Sequence, residues 1–259
     1  MIDCVTLSTN HHFDYNPIYR QHQLRYQSII QRQGWEIPTV EDMEYDGYDN
    51  PAAYYLVKKD AAGRAVGVSR LYPTDRPYML QQSFAHLVSK TELPSTARVW
   101  GGSRFCVEKS VAPEMRKRII QEIVIGYLEF SLMKNIKSII GVMYPPYWRN
   151  IFVNSGWDVE WMGEIHRSEE GHKIIASLYY LSQESKRAGF DDVSNAILTA
   201  IARVEDIVKN KRGSFADIMI NSDTLKVLAF MNLLSRIPAD QYRDISEFLE
   251  RAEAEVGDL

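Results

Sequence analysis

The residues able to do chemistry fall into three groups. Glu44, Asp46 and Asp49 lie on the run MEYDGYDNPAA, where Asp46, Gly47, Asp49, Asn50 and Pro51 all favour turns. Short carboxylates on such a turn either cap backbone amides or form a pocket for an ammonium group. Arg70, alternating with Val68 and Leu71, and Arg104, beside Phe105, sit in otherwise apolar strand-like runs. A guanidinium there is costly unless paired. Each therefore forms a structural ion pair with the carboxylates above, or clamps a carboxylate or acyl oxygen bidentately. The third group is Lys109, Arg116, Lys117 and Arg118, the last three in the first turns of a helix. The macrodipole is already positive at that end. The group is either a solvated charged face or a site for a phosphate or an acidic partner.

The elements that must position these groups are legible from periodicity. Tyr15, Tyr19, His22, Tyr26 and Ile29/Ile30 recur at helical spacing, with Asp14 as the expected N-cap, Pro17 in the first turn and Gly34 closing the helix. YYLVKKD and RAVGVSRLY around Ala61-Ala62-Gly63 predict a hairpin. ARVWGGSRFCVEKS predicts a strand, in which Gly101-Gly102 signals a bulge or a close backbone approach. Pro113 opens a helix with two apolar stripes, which predicts burial between layers. KSIIGVM predicts a short buried strand, YWRNIFVNSGW a helix stopped by Gly156, and VEWMGEIHR with HKIIASLYYLS a terminal antiparallel pair. This order predicts an α/β, or layered α+β, arrangement: a mixed central sheet with helices on its faces. From Arg187 onward only helical stripes follow, so residues 1–186 are expected to form one domain and 187–259 a helical appendage, which packs on the core or makes a homodimer.

Bulk properties exclude several classes. With 45% hydrophobic and 25% charged residues over 259 positions, the chain is an ordinary globular one. The net charge of −4 lies wholly in residues 187–259, which carry 9 basic and 13 acidic side chains, so no basic face suggests nucleic acid. Cys4 and Cys106 are far apart and the six histidines lack ligand spacing, so neither a disulfide framework nor a metal site is expected. No secretory pattern opens the chain, and no apolar run reaches the ~20 residues that span a bilayer. A cytoplasmic setting is expected.

LRYQSIIQRQGW (24–35), MEYDGYDNPAAYYLV (43–57), GVSRLYPTDRPYML (67–80), Phe84 and VWGGSRFCV (99–107) occur in the order and spacing of the N-acyl-homoserine-lactone (autoinducer) synthases. From about residue 15 to 182 the chain resembles that family. The resemblance implies a GNAT-like fold in which an acyl thioester enters a V-shaped split between two central strands. It also implies acyl transfer from acyl carrier protein or coenzyme A to the amine of S-adenosylmethionine, then lactone closure with release of methylthioadenosine. No permanently bound cofactor or metal is implied. A glycine-rich phosphate loop is missing after Val107, which favours the carrier protein, whose acidic helix would suit Arg116, Lys117 and Arg118.

By the same resemblance, Arg25, Trp35, Asp46, Asp49, Arg70, Phe84 and Arg104 match signature positions. Asp46 and Asp49 can hold the substrate ammonium, or fix the N-terminal segment through Arg25 and Arg104. Arg70 can hold a carboxylate or stabilise developing charge. Trp35 and Phe84, with Ser103 and Phe105, can enclose the sulfonium ligand, where cation–π attraction is available. Val142, Met143, Tyr144 and Trp148 are expected on the acyl side by fold position. A backbone N–H near Gly101 is the expected oxyanion donor. One departure stands out: the family usually has Glu after the tryptophan of W-E-x-[ST]-R, and here Gly101 follows Trp100. That Glu would be the general base; Asp46, Asp49, Glu108 or a water must replace it, or the chain is a silent ligand-binding homologue. An N-acyltransferase with another amine acceptor is the remaining alternative.

Overall fold

The computed structural model describes residues 2–180, Gly156 excepted. The helical appendage, its boundary at residue 186 and its expected homodimer contact lie outside the described residues.

In chain order the elements are β1 (Asp3–Val5), α1 (Pro17–Arg25), β2 (Thr39–Val40), β3 (Met43–Glu44), β4 (Tyr54–Lys59), β5 (Ala65–Pro73), α2 (Met79–Ser83), β6 (Val99–Val107), α3 (Pro113–Lys134), β7 (Ser138–Met143), α4 (Pro145–Tyr147), β8 (Asp158–Trp161), β9 (His166–Arg167) and β10 (Lys173–Tyr180). Seven strands run β1-β4-β5-β6-β7-β10-β8, β9 pairs with β10, and β2-β3 form a separate ribbon. Among these pairings β6-β7 is parallel, joined by the α3 crossover, and the others are antiparallel. The expected hairpin, central strand, buried strand and terminal pair are all present.

Both stripes of α3 are buried, as their pattern requires: Ile119, Ile123 and Tyr127 together with Val124 and Leu128 pack against Leu56, Leu71, Trp100 and Ile139 of the sheet. The opposite face is covered by α1, whose Ile18 and Leu24 join Val5, Tyr55, Val57 and Val68. The sheet is thus a mixed layer between helices. Among the described residues no helix is long and apolar enough to cross a membrane.

Three local expectations change. The N-cap of α1 is Asn16, not Asp14: its side chain accepts from the Tyr19 N–H, and Pro17 takes the first helical position, where a missing N–H costs nothing. The expected single helix leaves α geometry at Arg25 and widens into a π turn over Tyr26–Gln31. Gly34, at φ +72°, closes it, with Gly34 N donating to Ile30 O and Trp35 N to Ile29 O, both at 3.1 Å. Tyr144–Ser155 is likewise no uniform helix, passing from α4 into π and 3₁₀ turns. The stop at Gly156 lies outside the described residues.

The bulge in β6 is also displaced. Gly101 and Gly102 pair regularly with Tyr72 and Leu71, whereas the register slips between Val68↔Cys106 and Arg70↔Ser103. Ser69 therefore opposes both Arg104 and Phe105, and Arg104 takes φ +56°. The glycine signal marked a close approach instead: a Cβ on Gly102 would lie 2.6 Å from the Tyr179 hydroxyl. The slip therefore lies at Arg104–Phe105, and Gly101 stays within the regular ladder.

Gly163 fastens the sheet edge to the segment after α2. Ser89 and Lys90 both donate to Met162 O at 2.9 Å, and a Cβ at 163 would fall 2.0 Å from Leu87 O. The two nearest atoms are Leu87 backbone, which cannot swing aside as a flexible side chain would. Gly163→Ala is expected to cost about 2–3 kcal/mol by overpacking, read as a lower urea midpoint at constant m-value.

Candidate active site

Arg70, Arg104 and the three carboxylates of the acidic turn close into one ring with Arg25, a signature position of the resemblance. Arg25 Nε donates to Glu44 at 2.6 Å, and Arg104 reaches the same carboxylate at 3.0 Å. Arg104 Nη2 also donates to Asp46 at 2.7 Å. Asp46 takes Arg70 bidentately at 2.6 and 2.9 Å, and Arg70 Nη1 touches Asp49 at 2.9 Å. Asp49 completes the circuit by accepting both Nη groups of Arg25 at 2.7 and 2.8 Å. Cation and anion alternate throughout, so formal charge cancels. Arg25, Glu44 and Arg70 have 0% exposure.

Neighbours saturate the ring further. Gln21 accepts from Arg25, Ser103 Oγ from Arg70 Nε, and the Tyr55 hydroxyl donates to Asp49. The left-handed backbone at Arg104, strained for a non-glycine residue, is what turns that guanidinium toward Glu44 and Asp46. Burial alone would raise the Glu44 carboxyl, but Arg104 and Arg25 outweigh it and hold it below the ordinary range. For Asp46 burial is overcome by Arg70 and Arg104, and for Asp49 by Arg25 and Arg70; both are lowered. Held this way, the carboxylates tie α1 and the acidic turn to β5 and β6, and they make weak bases.

In front of the ring the sheet splits. The β6-β7 ladder runs from Val99↔Ser138 to Gly102↔Gly141, beyond which Ser103–Val107 and Val142–Met143 have no mutual pairing. At the apex the two glycines permit close packing: a Cβ on Gly141 would lie 2.9 Å from Gly102 O. Past the apex lies a cavity of about 580 Å³. Its lining includes Trp35, Phe84, Ser103, Arg104, Phe105, Arg116, Val142, Met143, Tyr144 and Trp148 from the sequence expectations. Arg70 and Gly101 face a small separate recess with Tyr48, Tyr72 and Tyr78.

Other expected residues stand apart. Arg25, Asp46 and Asp49 are in the ring behind the cavity. Glu108 caps the Ser110 N–H at 3.0 Å and borders an outer recess beside Arg32 and Lys109. Arg116 donates to the carbonyls of Lys109 and Val111 at the cavity mouth. Lys117 is exposed, and Arg118 pairs with Glu122.

Sequence reasoning missed the roof. Trp35 Nε1 donates to the Tyr144 hydroxyl at 3.2 Å, which donates to Gln33 Oε1 at 2.9 Å. The Gln33 carbonyl accepts from His172 Nε2 at 2.8 Å, and the His172 ring lies 5.0 Å from Trp35. It also missed the floor, where Ser69 Oγ meets the Tyr127 hydroxyl at 2.5 Å and donates to Ser103 O. Gln33 and His172 are 139 positions apart, and no local pattern pairs them.

Cys106 lines the cavity, yet burial pushes its thiol up to about 11; burial does the same for Cys4. At pH 8 such a thiol is about 10⁻³ thiolate, and only the thiolate is nucleophilic. Iodoacetamide at pH 8 is therefore expected to leave both cysteines unmodified in the native protein and to label both in urea, read by intact mass.

A mixed sheet splayed at its central parallel pair, with a cavity in the split, is a GNAT-like acyltransferase fold. The autoinducer synthase family profile matches residues 10–188, and the chain belongs to that family. An acyl-homoserine-lactone synthase of Vibrio anguillarum is 38% identical over 93 residues, 36% of this chain and 48% of that one. The matched stretch thus spans about half the length of that relative. A Pseudomonas aeruginosa acyl-homoserine-lactone synthase is 28% identical over 162 residues, covering 61% and 80%. Among solved structures, TofI in a ternary complex with an inhibitor and MTA aligns with TM-score 0.54 and 28% identity, covering 62% of this chain and 82% of that one.

Proposed function

We propose that this chain is an acyl-homoserine-lactone synthase using S-adenosylmethionine and an acyl thioester. The observation that carries this reading is the split at Gly102/Gly141, opening into a cavity flanked by the signature ring. The amine of S-adenosylmethionine loses a proton and attacks the thioester carbonyl; the C–S bond breaks and the thiol leaves with a proton. The carboxylate then displaces methylthioadenosine from the adjacent carbon chain, closing the lactone. The MTA held by TofI supports methylthioadenosine as a product.

The ring fixes the N-terminal segment, so Trp35 and Phe84 are held at the cavity to enclose the sulfonium, with Ser103 and Phe105 beside them. Arg70, at the recess that also holds Gly101, keeps Asp46 and Asp49 in place beside the substrate, its nitrogens being taken up by Ser103, Asp46 and Asp49. Backbone N–H groups at the Arg104 bulge are the oxyanion donors. Val142, Met143, Tyr144 and Trp148 receive the acyl chain. Arg116, with Lys117 and Arg118 on the same helix end, receives acyl carrier protein, with acyl-coenzyme A as the alternative donor. The reaction runs in the cytoplasm, where both cysteines stay reduced.

Gly101 favours a second reading, a homologue that binds ligand without turnover. The test incubates the purified chain with S-adenosylmethionine and acyl carrier protein or coenzyme A thioesters, followed by mass spectrometry. Lactone and methylthioadenosine in equal amounts support the synthase. Acyl transfer to another amine without methylthioadenosine makes it a different acyltransferase. No product, with S-adenosylmethionine still raising Tm, makes it a silent binder.

A further inference from the structure

Trp35 belongs to no helix or strand. It follows the left-handed Gly34, and its backbone N–H is tied to Ile29 O at 3.1 Å. Gly34, Glu36 and Pro38 beside it are exposed. A half-buried indole on such a surface segment keeps one place on the cavity wall only if something outside the segment holds it.

That hold comes from the turn between β9 and β10. Within the turn, Ser168 N donates to His172 O and Gly171 N to Ser168 O, both at 2.9 Å, and His172 N donates to Ser168 Oγ at 3.2 Å. Gly171 supplies the left-handed conformation, at φ +85°. The imidazole is therefore presented from a closed turn. A carbonyl only accepts, so His172 Nε2 carries the hydrogen in its 2.8 Å bond to Gln33 O. The same ring lies 5.0 Å from Trp35 and 5.3 Å from Tyr144, tilted by 31° and 41°. One side chain thus fixes the backbone two residues before Trp35 and backs its indole. Beyond Trp35, Glu36 meets Glu170 of the same turn. Burial alone would raise the Glu170 carboxyl, but hydrogen bonds from Ser168 and from the backbone of Glu170 and Glu36 hold it below the ordinary range.

His172 is not part of the cavity lining, whereas Gln33, Trp35 and Tyr144 are. Gln33 is the hub between them, since its side-chain oxygen accepts from both Trp35 Nε1 and the Tyr144 hydroxyl. Whatever fixes Gln33 therefore fixes the indole.

We propose that His172 is a positioning residue: by gripping Gln33 it sets Trp35 as the wall against which the sulfonium substrate binds. This rests on the proposed function, in which Trp35 encloses S-adenosylmethionine. An indole already in place costs the substrate no ordering when it binds.

The test is steady-state kinetics of the full chain, of His172→Phe and of His172→Gln. Phenylalanine keeps a ring against Trp35 and Tyr144 and removes the donor; glutamine returns an N–H donor. KM for S-adenosylmethionine is expected to rise about five- to tenfold in His172→Phe, the worth of one hydrogen bond, and to fall most of the way back in His172→Gln. KM for the acyl thioester should hold steady. A fold defect alone would lower the rate and leave both KM values in place. That result, or an equal rise in both KM values, overturns the proposal. Indole ¹⁵N–¹H spectra read the positioning with no substrate present. The chain has five tryptophans, and Trp35→Phe assigns the signal. The signal should move in His172→Phe and return in His172→Gln; a signal that stays overturns the proposal. If the wild type makes no lactone, the synthase reading has failed, and the spectra alone decide whether His172 places Trp35.

Discussion

Glu44→Ala is expected to destabilise the fold by about 3–5 kcal/mol, because removing one member of a buried ion network leaves charge uncompensated. Arg25 and Arg104 both reach Glu44, which has 0% exposure, so the truncation opens the ring between two cations. Urea denaturation at pH 7 measures the loss. Lys90→Ala, which removes the exposed pair with Glu164, is the control and should leave the midpoint in place. A Glu44→Ala midpoint close to wild type would mean that the ring is not closed in solution.

The ring also sets an acid limit. Glu44, Asp46 and Asp49 titrate below their ordinary values of 4.5, 3.8 and 3.8 in the folded state. The unfolded chain therefore binds protons first as pH falls. Their contribution is fully present above the unfolded values and is lost as pH drops through the folded ones. Stability should fall steeply below about pH 4 in the wild type and less steeply in Glu44→Ala, read as urea midpoints between pH 3 and 7.

Gly101→Glu is expected to raise turnover about 10²-fold, the lower end of what a positioned general base supplies. The backbone accepts the change: a Cβ there meets only Tyr72 O, at 3.6 Å, and Gly101 pairs regularly with Tyr72. The new side chain would enter the recess that holds Arg70, Tyr48 and Ser103. The carboxylates already nearby are poor substitutes, since arginines hold Asp46 and Asp49 low. Single-turnover kinetics with S-adenosylmethionine and an acyl thioester measure the effect. An unchanged rate would show that the amine already loses its proton efficiently, through a water or another group.

Much of the fold was legible because its patterns are local. The double stripe of α3, the β4-β5 hairpin and the β8-β10 pair each follow from residue spacing within one or two segments. The bulge was misplaced for a physical reason. Paired glycines signal either a kink or a close approach, and here Gly102 makes room for Tyr179 while the kink falls on an arginine. Ion pairing offsets the strain at Arg104, and such compensation is invisible without its partners. The ring shows the same limit. Its carboxylates, Arg70 and Arg104 stand out by type and Arg25 by resemblance, but the sequence places Glu44 only on an acidic turn and carries no sign that Arg25 and Arg104 converge on it. The roof depends on Gln33 and His172, which no periodicity connects.

The parallel seam has a consequence for how this protein can diversify. Every residue of the ion ring precedes β7, whereas Val142, Met143, Tyr144, Trp148 and Tyr179 all follow its start. The two halves of the sheet are each antiparallel within themselves and share one parallel ladder of four residue pairs. The charged framework and the residues proposed to receive the acyl chain therefore lie in consecutive, separable lengths of gene. An exchange of residues 138–180 between relatives could change which acyl chain is used while inheriting the charged framework untouched.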